Sequence, residues 1–130
     1  AIVFNSGVRL FVGTWDVTRR FVIDEAQCAA IRGIPSKLCA DLGRLLDLWW
    51  PCKGGKPGPV MYDIAPLIWS FAPDAAYYMT ERAHVAVETK GEHTFGMTVR
   101  KWDTPPNVEL STDMDAPAVS KLFMETLCKD

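Results

Sequence analysis

Histidine, paired cysteine, surplus positive charge and long apolar runs are all scarce in this 130-residue chain, and each scarcity removes a class of function. The two histidines, His84 and His93, fall in a predicted strand and a predicted hairpin turn, where structural roles suit them. Cys28, Cys39, Cys52 and Cys128 are widely separated and form no Cys-x-x-Cys pair, so neither a thiolate zinc site nor a disulfide framework is indicated. Free, mostly buried thiols are expected. A net charge of -2, with Lys and Arg scattered, supplies no field for nucleic acid or an anionic membrane. No stretch approaches the ~20 apolar residues of a membrane span, and the N-terminus lacks the basic and apolar regions of a signal peptide. A soluble, cytoplasmic protein is the reading, although a chain that begins inside a longer gene product would say nothing about export. Glycine-rich phosphate loops and nucleophile elbows are missing too, which argues against nucleotide-dependent chemistry and acyl transfer.

What is present describes a globular chain: 48% hydrophobic and 23% charged residues, with five Trp and six Phe that need burial. Residues 1–130 read as a single domain or as part of one. Ala1 to Phe4 resembles the tail of an interrupted helix, and Val8 to Val12 a buried strand. Gly13 to Thr18 is then the loop at that strand's carboxyl end, where α/β folds place ligands, so Thr14, Trp15, Asp16 and Thr18 occupy a possible site. The same residue types also stabilise loops by bonding to nearby backbone. Asp24 predicts an N-cap for a helix through Ile31 that ends at Gly33. Pro35 suits the first turn of the next helix, in which Leu38, Leu42, Leu45, Leu46 and Trp49 recur at helical spacing and are expected in the core. Pro51 stops that helix, and Cys52 to Pro59 is a Gly/Pro loop.

Asp63 can cap a further helix, with Pro66 in its first turn and Pro73 as its stop. Runs with period two follow at Val85-Val87-Thr89, Phe95-Met97-Val99 and Val108-Leu110-Thr112, joined by turns at Lys90 to His93 and Thr104 to Pro106. Asp115 to Cys128 closes the chain as a helix, with Val119, Leu122, Phe123 and Leu127 on one face. The expected class is α/β.

Tyr62-Asp63 opening a helix, Thr80-Glu81-Arg82, Val85-Ala86-Val87-Glu88-Thr89 and Gly96-Met97-Thr98-Val99 resemble, in order and spacing, the closing portion of the nucleoside hydrolases. Val12-Gly13-Thr14-Trp15-Asp16-Val17-Thr18 is similar to that family's Val-Gly-Leu-Asp-Val-Thr segment with one extra residue. These are calcium-dependent enzymes that cut the N-glycosidic bond of ribonucleosides in purine and pyrimidine salvage. The family opens on a strand and an aspartate cluster, Asp-Thr-Asp-x-Gly-x-Asp-Asp, which holds the metal and the attacking water, and this chain contains no such cluster.

The resemblance implies the C-terminal part of a Rossmann-type fold with a small antiparallel β meander between Val85 and Thr112. It implies Asp63 as the one candidate calcium ligand. Tyr62 stands where the family has a histidine associated with the leaving base, and Ile64 where it has a proline. A phenol ordinarily titrates near ~10, so Tyr62 can donate a proton or hydrogen bond but matches neutral pH less well than imidazole. Apart from the resemblance, Tyr62-Asp63 reads as a helix cap preceded by a packing aromatic. The implied function is calcium-dependent hydrolysis of ribonucleosides once an N-terminal half, a separate polypeptide or a homo-oligomer completes the site. The alternative is a catalytically silent homologue that binds a nucleoside or sugar or serves in assembly.

Overall fold

The computed structural model describes residues 1–52, 54–55, 57–72 and 77–129. Its strands are β1 (Phe11–Val12), β2 (Tyr78–Val87), β3 (Thr98–Lys101) and β4 (Val108–Met114). Its helices are α1 (Trp15–Thr18), α2 (Glu25–Gly33), α3 (Lys37–Trp49), α4 (Ile64–Phe71) and α5 (Ala116–Leu127), with a 3-10 turn at Trp50–Cys52. The strands form one mixed sheet in the order β1-β4-β2-β3. β2 runs antiparallel to β3 on one side and to β4 on the other, while β1 is parallel to β4, with Phe11 opposite Glu109 and Val12 opposite Leu110. The antiparallel strands expected from the period-two runs are present, but they do not form the expected meander, because β4 pairs with β2 and not with β3. The longest of them starts at Tyr78, and β4 returns along the far edge of β2 to meet β1.

The strand expected over Val8 to Val12 is limited to Phe11–Val12. Its partner explains this, because the next N–H upstream on that side, that of Asn107, donates to the Ala83 carbonyl at 3.0 Å and not to the segment before β1. The last rung upstream is the Glu109 N–H donating to the Leu10 carbonyl at 2.8 Å. The predicted loop from Gly13 to Thr18 contains a helical turn, α1.

Asp24 caps α2 through a complete capping box: its side chain accepts from the Gln27 N–H, and the Gln27 side chain accepts from the Asp24 N–H. Pro35 does not sit in the first turn of α3. It precedes the cap, Ser36, whose Oγ accepts from the Cys39 N–H at 3.1 Å, and Ile34 before it is extended, as a residue preceding proline prefers. α5 begins as predicted, with Asp115 accepting from the Ala118 N–H at 3.0 Å and Pro117 in the first turn. The stop assigned to Pro73 lies outside the described residues, and α4 ends at Phe71.

The core joins Val17, Phe21, Ile23, Cys28, Ile31, Cys39, Ala65, Ile68, Met114, Val119 and Leu127, and so draws on all five helices, β4 and the segment after α1. Each fully buried Phe or Ile contributes about 1.5–3 kcal/mol relative to exposure. The leucine stripe of α3 is not core as expected: Leu42, Leu46 and Trp49 are half-buried, but Leu38 and Leu45 are exposed. The small residues Cys39 and Gly43 are the buried ones on α3, and a Cβ added at Gly43 would lie 3.2 Å from Arg32 Cγ of α2. Close helix approach therefore goes through them. The aromatic side chains divide in the same way. Phe21 is buried, and Phe123 meets it edge-on at 5.8 Å, whereas Trp15, Phe71, Phe95 and Trp102 are exposed. All four cysteines are free, but only Cys28 and Cys39 are buried; Cys52 and Cys128 are exposed.

Candidate functional site

Tyr62 and Asp63 are placed by the chain on either side of them. Upstream, Pro59 to Met61 lies antiparallel to Phe21 to Ile23: the Ile23 N–H donates to the Pro59 carbonyl at 3.1 Å and the Met61 N–H to the Phe21 carbonyl at 2.8 Å, around a bridge between Val22 and Val60. Gly58 makes this approach possible, since a Cβ there would fall 1.8 Å from the Ile23 carbonyl oxygen. Downstream, the buried Ala65 and Ile68 of α4 enter the core. A Cβ added at Gly13, just after β1, would lie 3.3 Å from Pro66 Cδ, so the carboxyl end of β1 abuts the first turn of α4. One turn further along the helix, the Trp69 ring stacks on Phe11 with centroids 4.2 Å apart and planes 4° apart. Arg9 lies over the same indole at 5.0 Å and reaches Glu109 at 3.4 Å.

Both candidate residues are accessible. Tyr62 is 38% exposed, and Asp63 is exposed as well. Asp63 stands at the N-cap position of α4, yet its side chain makes no capping hydrogen bond, contrary to the capping expectation. The reason is its backbone: φ -83° and ψ -14° are already helical, so the carboxylate does not fold back over the first amides as an extended cap residue would. Among the described residues, no three His, Cys, Asp or Glu side chains converge where they could hold a metal. Calcium takes six to eight oxygen ligands, and a single carboxylate does not supply them. The donor set among the described residues does not make a calcium site by itself.

The residues after β1 divide between structural and accessible positions. Thr14 is tied to β4: its N–H donates to Ser111 Oγ at 2.9 Å and its hydroxyl to the Ser111 carbonyl at 3.1 Å. Thr18 is buried, whereas Trp15 and Asp16 are exposed, with Arg19 over the Trp15 ring at 4.8 Å. Arg20 pairs with Asp113 and donates to the Met114 carbonyl at 3.1 Å, which fixes the segment after α1 to the end of β4. That guanidinium, with the Met114 N–H, holds the Asp113 carboxyl below its ordinary range. His84 Nδ1 lies 2.8 Å from the Pro105 carbonyl, and His93 is exposed between β2 and β3, so both keep the structural settings expected of them.

Ser111, Gly58 and the Arg20–Asp113 pair position this region and are not legible as a motif. Their partners are 97, 35 and 93 residues away, and only a Gly flanked by prolines at 57 and 59 hints at a constrained backbone. Beside Met61, an apolar groove of about 360 Å³ is lined by Leu42, Leu45, Leu46, Trp49, Pro59 and Phe123 among others. The exposed leucine stripe of α3 leads into it.

Comparison with known proteins places these features in a family. Residues 1–121 match the family described as inosine-uridine preferring nucleoside hydrolase. A pyrimidine-specific ribonucleoside hydrolase RihA from Salmonella gallinarum (strain 287/91 / NCTC 13346) is 30% identical over 134 residues, covering 97% of this chain and 42% of the relative. The protein of the same name from Enterobacter sp. (strain 638) is 30% identical over 136 residues, covering 98% and 43%. Among solved structures, a purine-preferring ribonucleoside hydrolase from Gardnerella vaginalis superposes with a TM-score of 0.84 at 18% identity, covering 98% of this chain and 42% of that one. The plant nucleoside hydrolase PpNRh1 gives 0.81 at 18% identity, covering 99% and 44%. The chain thus spans less than half the length of the relatives it matches. In fold and in sequence, over nearly its whole length, it belongs to the inosine-uridine preferring nucleoside hydrolase family.

Proposed function

We propose that this chain forms the C-terminal portion of a ribonucleoside N-glycosyl hydrolase and contributes Asp63, Tyr62 and one wall of the pocket to a site completed from outside it. The observation that carries the reading is the Asp63 carboxylate, exposed at the head of α4 and not used in capping, in a chain of this family. Asp63 serves as one ligand of a calcium ion, and the remaining oxygens, the base that activates water and most ribose contacts come from another segment or polypeptide. Tyr62 faces the departing base and donates a hydrogen bond or proton to it. The substrate is a ribonucleoside. Base preference is left open by relatives whose names divide between pyrimidine-specific and purine-preferring.

A catalytically silent homologue is the second reading, and Tyr62 is the residue that favours it, because a phenol is a weaker acid at neutral pH than an imidazolium. One experiment separates the two. The 130-residue chain is assayed for hydrolysis of purine and pyrimidine ribonucleosides with calcium, alone and with a polypeptide spanning the remainder of the family fold. The expected result is no turnover alone, turnover in the complex, and its loss in Asp63→Asn. An outer-shell metal partner is already worth about 10- to 100-fold, and a direct ligand no less. Turnover by the chain alone would refute the shared site. A complex that binds calcium and nucleoside without cleaving it, both as formed and after Tyr62→His, leaves the silent homologue.

A further inference from the structure

The geometry points to Trp69 as the positioning residue that fixes α4, and with it Tyr62 and Asp63, against the sheet; this rests on the hydrolase reading above. Two pairs of residues meet in step. On the helix, Pro66 and Trp69 are three apart and share a face; on the strand side, Gly13 and Phe11 are two apart and share a face. Pro66 approaches Gly13, and Trp69 stacks on Phe11 at 4.2 Å with the rings 4° from parallel. The strand contact is reinforced on both components. Tyr78 meets Phe11 edge-on at 5.9 Å, and the Arg9 guanidinium lies 5.0 Å from the Trp69 centroid while held by Glu109 at 3.4 Å. An indole in contact with both a stacked ring and a cation admits little sliding along the helix axis, because stacking and cation–π attraction both need the ring plane kept in place.

Asp63 itself makes no side-chain capping bond that would hold the start of the helix. The head of α4 therefore depends on the backbone ladder of Pro59 to Met61 upstream, on the core contacts of Ala65 and Ile68, and on this stack. Ala65 and Ile68 set the depth of the helix, and Trp69 sets its position along β1. A displacement of about 1 Å at a reacting group from a change far from the chemistry can cost about 100-fold in rate. Trp69, with five residues between it and Asp63, is placed to act in that way without touching substrate.

The test compares Trp69→Phe, which keeps a flat ring, with Trp69→Leu, which keeps apolar bulk without one, and uses exposed Phe71→Ala as the control on the same helix. Amide hydrogen exchange over residues 64–71 of the 130-residue chain should speed up at least about tenfold in Trp69→Leu, with exchange in α2 and α5 unchanged. Trp69→Phe should restore protection, and Phe71→Ala should leave it as it was. In the completed complex, Trp69→Leu should lower kcat about 10- to 100-fold while Trp69→Phe stays within about threefold of wild type. Unchanged exchange at α4 in Trp69→Leu overturns the proposal, as does acceleration throughout the chain, or a Phe variant as impaired as the Leu one. If the wild-type complex has no hydrolase activity, the functional reading fails separately, and exchange alone then decides whether Trp69 holds α4.

Discussion

Tyr78 illustrates how one side chain fixes the range of conditions in which this fold persists. Its hydroxyl is buried beside the aromatic pair of Phe11 and Trp69, has no hydrogen-bond partner among the described residues, and is pushed by burial from 10.0 up to about 12. In the unfolded chain the phenol ionises near 10.0, whereas in the fold it stays neutral to about 12, so the unfolded state loses its proton first. The stability tied to a neutral Tyr78 is complete below pH 10.0 and erodes from there to about pH 12. Urea midpoints should therefore fall across that alkaline window, and Tyr78→Phe should flatten the fall; an unchanged slope would mean that another group governs it. Asp113 acts at the opposite end with the opposite sign. Its carboxyl is held below the ordinary 3.8 by Arg20, so the pair contributes above that value and is lost as pH falls beneath it.

The segment leading into Tyr62 depends on a single glycine for its path. In Gly58→Ala the new methyl would meet the Ile23 carbonyl at 1.8 Å, a backbone atom that cannot rotate away, and so would part the short ladder from Phe21–Ile23 to Pro59–Met61. A loss of about 1–3 kcal/mol, the usual range for forced overpacking, should appear in urea denaturation. Gly33→Ala at the end of α2, with nothing within 4 Å, should be neutral or stabilising by up to about 1 kcal/mol. Equal effects at the two sites would refute the close approach. This contrast also marks the limit of reading the chain as letters. Local signals carried well: Asp24 and Asp115 each mark the start of a helix, and the period-two runs mark β3 and β4 within a few residues, although β2 begins at Tyr78, well before its run. What failed depended on distant partners. The length of β1 is set by Asn107, whose N–H goes to Ala83, and the constraint on Gly58 by Ile23; the unused carboxylate of Asp63 follows instead from its own backbone, already helical one residue early. The candidate pair Tyr62-Asp63 was legible only through its resemblance to a family, because a dyad at a helix start has no periodicity of its own.

At the scale of the molecule, amphipathic patterning and burial disagree, and the disagreement has a measurable consequence. Leu45 and Leu48 on α3 are 61% and 74% exposed, and they continue the face that opens into the groove beside Met61 and Phe123. An apolar helix face of this kind normally meets a partner surface, and this chain spans less than half the length of the relatives it matches. In the 130-residue chain alone, that face should drive association between copies. Sedimentation velocity of the wild-type chain should then show species heavier than 14.5 kDa that increase with concentration, whereas Leu45→Glu with Leu48→Glu should sediment at 14.5 kDa. Both positions are exposed, so the double variant should keep the urea stability of the monomer to within about 0.5 kcal/mol per site. If association persists in the variant, the surface responsible lies elsewhere, and the exposed Phe95, Met97 and Trp102 around β3 are the next to substitute. If the wild-type chain is monomeric at every concentration, the α3 face tolerates water without a partner, and its exposure then calls for no covering surface.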